Sequence, residues 1–331
     1  MNKKEFALLD QQVKAMAEAI KAKSINAVYV TACGGSLATI SPAKYLLDRF
    51  TAKVKSSVHN ANEFVLDTPL AIDEHTLVIT NSQSGNTAET VEAARIAKEK
   101  GARIVAFSTN LESKLCALAD HPIYYYDNPD DPYPLGLSIY PIVYKTVFAL
   151  IDALEGSDLS TDVQSALDNI DTIVADSWAP HVAKAKDFAS LMRDEEVIYT
   201  TGAGINHDIA YIISNCLIME SLWLDSSAIH GGEFFHGALE AFDDRTAVFA
   251  LLGLQKTRPI EERVVKFLQR KTRKLVTLDA KSFSWDLVAP WLQSHLSPII
   301  LNFIAAKYCD ELSYLKGHPI SSRRYMGIEK Y

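Results

Sequence analysis

The feature that most restricts this chain is a strand–turn–helix pattern that occurs twice. The apolar run Ala27-Val28-Tyr29-Val30-Thr31 ends in Ala32-Cys33-Gly34-Gly35-Ser36 and passes into a helical pattern reaching about Phe50. A second run, Thr76-Leu77-Val78-Ile79-Thr80, ends in Asn81-Ser82-Gln83-Ser84-Gly85-Asn86-Thr87. A helix over residues 89–100 follows, Gly101 stops it, and Arg103-Ile104-Val105-Ala106-Phe107 is the next strand. Later, Val197 to Gly204 reads like Val28 to Gly35, 169 positions on (197 − 28). Arg273 to Asp279 reads like Ala102 to Ser108, 171 positions on (273 − 102). Two matches at nearly one offset indicate an internal duplication. Strands alternating with helices across short turns are the grammar of an α/β fold. Apolar runs without alternation suit parallel strands covered on both faces. The expectation is therefore two tandem α/β halves, each a doubly wound parallel sheet, with a boundary at the turn-rich Gly156-Ser157-Asp158-Leu159-Ser160. That gives domains 1–155 and 156–331. Phe6, Leu9, Val13, Met16 and Ile20 recur at three and four and predict an amphipathic helix over the first twenty residues.

Composition narrows the function classes. The chain has 331 residues, 48% hydrophobic and 22% charged, which is ordinary for a globular protein and excludes disorder. Its net charge of −8 argues against a nucleic-acid partner, which would call for a basic surplus. Nowhere do about 18 apolar residues run together, so no membrane-spanning helix is expected, and the start lacks the apolar core of a signal peptide. Cys33, Cys116, Cys216 and Cys309 are far apart and fit no metal or disulfide spacing, which suits free thiols in a reducing cytoplasm. The expected location is cytoplasmic.

Two turns carry binding chemistry. In Ser82-Gln83-Ser84-Gly85-Asn86-Thr87, three hydroxyls, a flexible glycine and the N–H groups of a helix start converge, which binds a phosphate without a basic residue. Gly35 and Ser36 occupy the equivalent turn after the preceding strand. The bland alternative is a pair of capped helix starts. Neither turn has dinucleotide, P-loop or nucleophile-elbow spacing. In the second half, Glu220 lies near the end of an apolar helix beginning around Ile209, where a carboxylate is costly unless used or paired. Ten residues on comes His230-Gly231-Gly232-Glu233-Phe234-Phe235-His236-Gly237. His230, Glu233 and His236 lack zinc-site spacing, and Gly231-Gly232 breaks the helix such a site wants, so no metal is expected.

In these residues the chain resembles the double sugar isomerase (SIS) domain family. Cys33-Gly34-Gly35-Ser36 and Ser82-Gln83-Ser84-Gly85-Asn86-Thr87 match its phosphosugar loops. Glu220, with His236 inside Gly232-Glu233-Phe234-Phe235-His236-Gly237, matches its catalytic pair. The fold implied is two tandem SIS domains, each a parallel-sheet αβα sandwich. Ala228 to Gly237 and the tail His318 to Met326 most resemble the fructosamine 6-phosphate deglycases. The synthase half of glucosamine-6-phosphate synthase differs at two places: its lysine three residues before the glutamate is Leu217 here, and its tail lysine corresponds to about Met326. A glutaminase domain in front would need cysteine after the initiator methionine, where this chain has Asn2. The deglycases usually have proline after His-Gly; Ala238 stands here, which bears on substrate choice.

The resemblance implies a cofactor-independent enzyme that cleaves a 6-phosphorylated Amadori compound, such as fructoselysine 6-phosphate, to glucose 6-phosphate and an amine. Glu220 would move the carbon-bound proton and His236 handle oxygen. Gly35, Ser36, Ser82, Gln83, Ser84 and Thr87 would bind the sugar phosphate. Glu233 would orient His236 or cap the loop. Arg323, with Arg324 and Tyr325, would meet an amino-acid carboxylate or simply dock the tail. A homodimer with shared active sites, possibly a higher oligomer, is implied as well. Two alternatives stay open: a phosphosugar isomerase or amino-sugar-phosphate deaminase using the same pair, and a non-catalytic sugar-phosphate sensor.

Overall fold

The computed structural model describes residues 2–128 and 132–329. The chain divides into two compact units, Met1–Asp171 and Thr172–Tyr331. The stretch 156–171, which the turn signal assigns to the second half, lies with the first. Its helix Leu159–Asp168 packs on the helix Ile139–Glu155 that precedes it. The turn between them is closed by Asp152, whose carboxylate accepts from the Ser157 hydroxyl (2.5 Å) and the N–H groups of Leu159 (2.9 Å) and Ser160 (2.8 Å). So Gly156-Ser157-Asp158 is a helix–helix corner, capped by Gly156 at φ +74°.

In the first unit the described strands are β1 (Ala27–Ala32), β2 (Lys55–Asn60), β3 (Thr76–Asn81), β4 (Arg103–Ser108) and β5 (His121–Tyr124). They form one parallel sheet in the order β2-β1-β3-β4-β5. Every residue of β3 is buried, as a central strand covered on both faces requires. Its side chains alternate between two layers. Val78, with Ile104 and Ala106 of β4, packs under the helices Ala61–Leu66, Ala88–Glu99 and Lys114–Leu118. The long helices Asn2–Lys21 and Ile139–Glu155 pack on each other in this unit. Leu9, Val13, Met16 and Ile20 are buried, so the stripe predicted for the first helix is its inner face.

The second unit repeats the pattern with β6 (Val197–Gly202), β7 (Asp225–His230), β8 (Ala247–Leu252) and β9 (Lys274–Asp279), parallel in the order β7-β6-β8-β9. On one face of β8, Val248 meets Val264 and Leu268 of the helix Arg258–Leu268. On the other, Phe249 stacks on Tyr308 (5.4 Å) and tilts against Phe188 (4.7 Å). Each such fully buried large side chain stabilises by roughly 1.5–3 kcal/mol.

The two sheets share the relation that places a site. β1 and β3 are neighbours, yet the chain moves outward from them in opposite directions, to β2 and to β4. The turns leaving their carboxyl ends therefore diverge and open a crevice, where ligands bind in open α/β sheets. β6 and β8 stand in the same relation.

Candidate active site

The crevice of the first unit collects the predicted phosphate loops. Thr31 and Thr80 are register partners one residue before the ends of β1 and β3, so the turns at 33–36 and 82–87 start side by side. Asn81 ties them together: its Nδ2 donates to Ser36 O (3.4 Å) and to Thr39 Oγ1 (3.1 Å). Gly35 and Ser36 form the first turn of the helix Gly34–Ile40 and are half-buried.

The second loop is shaped by its own polar atoms. Ser82 is buried; its Oγ lies 2.9 Å from Thr87 Oγ1 and accepts the Thr87 N–H at 3.4 Å. Ser84 is exposed, and its Oγ accepts the Asn86 N–H at 3.2 Å. Between them Gly85 sits at φ +68°, and a Cβ there would fall 2.0 Å from Ser113 Oγ. Only glycine fits both conditions. Thr87 precedes the helix Ala88–Glu99 and makes no side-chain cap bond, so the first-turn N–H groups lack that acceptor. The Gln83 amide is engaged elsewhere: Nε2 donates to Asp127 Oδ2 at 2.8 Å. Burial pushes the Asp127 carboxyl up from the usual range, with Tyr133 bonding it in the opposite sense. Sequence reading missed Asn81 and Asp127. Asn81 directly precedes the motif and was open to notice; Asp127 has no local signal.

In the second unit the helix Ile205–Tyr211 passes into a π-helical segment, Ile212–Met219, which ends at Glu220. The wider ladder continues through Glu220 N–H to Asn215 O (3.0 Å) and Leu222 N–H to Leu217 O (3.1 Å). π-Helical turns are rare and recur at functional sites. The chain then turns at Trp223, the one non-glycine residue at positive φ (58°) among the described residues.

Glu220 is paired. Arg323 Nη2 lies 2.8 Å from Glu220 Oε1, and Arg323 Nη1 donates to the carbonyls of Ile320 (3.1 Å) and Ser322 (2.7 Å). The apolar setting expected for Glu220 is therefore an ion pair in the wall of a cavity of about 370 Å³. Asn215, Met219, Trp223, Arg324, Tyr325 and Met326 line the rest of it, with the Arg324 guanidinium 4.5 Å above the Trp223 ring. Asn215 is the lining residue sequence reading passed over; its position five residues before Glu220 becomes meaningful only once the segment is π-helical.

The loop after β7 holds the other predicted residues apart from this cavity. His230 Nδ1 accepts the Gly232 N–H (3.1 Å), and the His236 N–H bonds Glu233 O (2.9 Å). Phe234 is buried against Phe242 and Phe267, and Arg263 covers Phe235. Those rings anchor the loop while Glu233 and His236 are exposed. Neither lines the cavity at Glu220. Among the described residues, no three His, Cys, Asp or Glu side chains converge as metal ligands. Among the described residues no helix is long and apolar enough to cross a membrane.

Comparison with known proteins adds four findings. Residues 21–151 match the SIS domain family model. The chain is 37% identical over 325 residues to fructosamine deglycase FrlB of Bacillus subtilis, covering 98% of both chains. It is 28% identical over 316 residues to fructoselysine 6-phosphate deglycase of Escherichia coli, covering 95% of this chain and 89% of that one. A crystal structure from Bacillus subtilis, named only provisionally as a phosphosugar isomerase, superposes with a TM-score of 0.94 at 36% identity over 99% of each chain.

Proposed function

We propose, from the premise that this chain belongs to the double SIS-domain family and groups with its fructosamine 6-phosphate deglycases, that it cleaves 6-phosphorylated Amadori compounds with water. The products are glucose 6-phosphate and a free amine. The observation that carries this reading is full-length similarity to a named fructosamine deglycase, 37% over 98% of both chains. A carboxylate at the family's catalytic position, in the wall of a cavity with two arginines, is consistent with it.

An Amadori compound carries a ketone at C2 and an amine on C1. Glu220 takes a proton from C1, and the electron pair moves to give the enaminol. The proton returns at C2, leaving a C1 imine. Water adds to that imine, and the carbinolamine breaks its C–N bond to give the aldehyde and the amine. No electrons leave the system, so the chemistry needs no redox cofactor. His236 handles oxygen, opening the sugar ring and polarising the C2 oxygen, a role suited to imidazole. Each acid or base is worth about 10²–10⁴ in rate. Recognition of the phosphate falls to Gly35, Ser36, Ser82, Ser84 and Thr87. Gln83 belongs to the same loop, its Nε2 bonded to Asp127. Remote binding energy of this kind positions the reacting end.

The isomerase reading has one support, the provisional name carried by the Bacillus subtilis crystal structure. One experiment separates the two. The protein is incubated with fructoselysine 6-phosphate, other fructosamine 6-phosphates, fructose 6-phosphate and glucosamine 6-phosphate. Equimolar glucose 6-phosphate and amine from a fructosamine 6-phosphate is the expected result. Interconversion of sugar phosphates with no amine released from any fructosamine would overturn it.

A further inference from the structure

The shared strand order lets the two crevices be compared position by position. β6 starts 170 residues after β1 (197 − 27), and β8 starts 171 after β3 (247 − 76). On that register Ala203 answers to Cys33, Asn206 to Ser36, Gly253 to Ser82 and Glu261 to Thr90.

The contents of the crevices differ at the last pair. Thr90 ends in a short hydroxyl next to the Cys33 thiol. Glu261, 3% exposed, reaches across its crevice. Its Oε1 accepts the Ala203 N–H (3.1 Å) and Asn206 Nδ2 (2.8 Å), and its Oε2 accepts the Gly253 N–H (2.8 Å). Those donors come from the ends of both β6 and β8, where a ligand at a switch point would be met. The Glu261 carboxylate is thus dressed as a bound anion would be. A buried charge is tolerated only when its oxygens are satisfied in this way.

The crevice is also full. Gln255 Oε1 accepts from Asn206 Nδ2 at 2.9 Å. A Cβ on Gly253 would fall 1.9 Å from Gln255 Oε1 and 2.1 Å from Asn206 Nδ2. A sugar phosphate has no room there.

We propose that Glu261 is the built-in occupant of an anion cradle. The second unit keeps switch-point donors and fills them with its own carboxylate, so each chain takes a phosphosugar at one switch point only. The stoichiometry rests on the phosphate reading of the first unit; the cradle does not.

Chemical rescue tests the cradle. Glu261→Ala removes Cγ, Cδ and both oxygens, the heavy atoms of one acetate ion. Thermal midpoints of the native protein, Glu261→Ala and Glu261→Gln are compared in acetate and in chloride at equal ionic strength. Glu261→Ala should melt below native and recover several degrees in acetate only. The native protein and Glu261→Gln, whose crevices stay filled, should not respond. An acetate effect on Glu261→Ala no larger than on the other two would overturn the cradle. If that variant does not accumulate folded, its refolding yield in acetate against chloride gives the same reading. Titration of the native protein with glucose 6-phosphate tests the stoichiometry, with one site per chain expected. Two sites would overturn it. No binding would overturn the phosphate reading instead and leave the acetate result to judge Glu261.

Discussion

Arg323 Nη2 lies 2.8 Å from Glu220 Oε1, joining the end of the π-helical segment to the C-terminal tail 103 residues later (323 − 220). The same guanidinium holds the carbonyls of Ile320 and Ser322, so one side chain sets both the tail's turn and the carboxylate's orientation. The pair is partly exposed, and such pairs add only about 0–1 kcal/mol to stability. Its consequence is positional: it holds one oxygen of Glu220 in place.

Glu220→Gln keeps the shape and one acceptor but removes the base. Turnover should fall by at least about 10³ with substrate affinity little changed. Exchange of the C1 hydrogen with deuterated solvent should vanish in the same variant. Exchange at the native rate would point to another proton acceptor, with Glu233 next to be tried.

Ser82→Ala/Ser84→Ala removes the hydroxyl that shapes the phosphate loop and the one exposed on it. Affinity for 6-phosphorylated sugars should drop sharply while circular dichroism stays native. Native protein that binds phosphorylated and unphosphorylated ligand equally would refute a phosphate site.

Gly85→Ala places a methyl 2.0 Å from Ser113 Oγ at a backbone φ of +68°. Left-handed backbone alone costs roughly 1–2 kcal/mol for a residue with a Cβ, and the overlap adds to it. The variant should unfold at lower denaturant and bind phosphosugar poorly. A midpoint equal to native would mean that the loop has slack the present packing does not show.

The proposed homodimer with shared sites draws Glu220 and His236 of one site from different chains. A Glu220→Gln subunit paired with a His236→Ala subunit then keeps one intact site of two. Random mixing makes about half the dimers mixed, so roughly a quarter of native activity should return. No recovery on mixing, or a monomer at micromolar concentration, would exclude the arrangement.

Asp208, in the helix Ile205–Tyr211, has a buried Oδ2 without a hydrogen-bond partner, and burial pushes its carboxyl up to about 7. The folded form therefore holds a proton that the unfolded chain has released above the ordinary Asp value of about 3.9. Unfolding sheds that proton between about pH 4 and pH 7, so this group's contribution falls as pH rises through that window and is level above it. Asp208→Asn should remove the slope. Urea unfolding of both proteins at pH 5 and pH 8 checks it: the variant's advantage should be larger at pH 8.

The strand–turn–helix repeats and the turns after β1 and β3 were legible because each is encoded locally, and the same local patterns picked out Glu220 and His236 as candidates. Central strands announce themselves as apolar runs, and turn chemistry sits beside them. The edge strands β2 (Lys55-Ser56-Ser57-Val58-His59-Asn60) and β7 (Asp225-Ser226-Ser227-Ala228-Ile229-His230) were not legible, since a strand paired on one side keeps polar side chains. Only the tertiary structure decided that Arg323 meets Glu220, that Gln83 bonds Asp127, and that Glu261 fills the second crevice where the first has Thr90. Those contacts join residues 44 to 103 positions apart, or cross from a helix to two strand ends. Local periodicity records which face of an element is buried; the path of the folded chain decides what it is buried against.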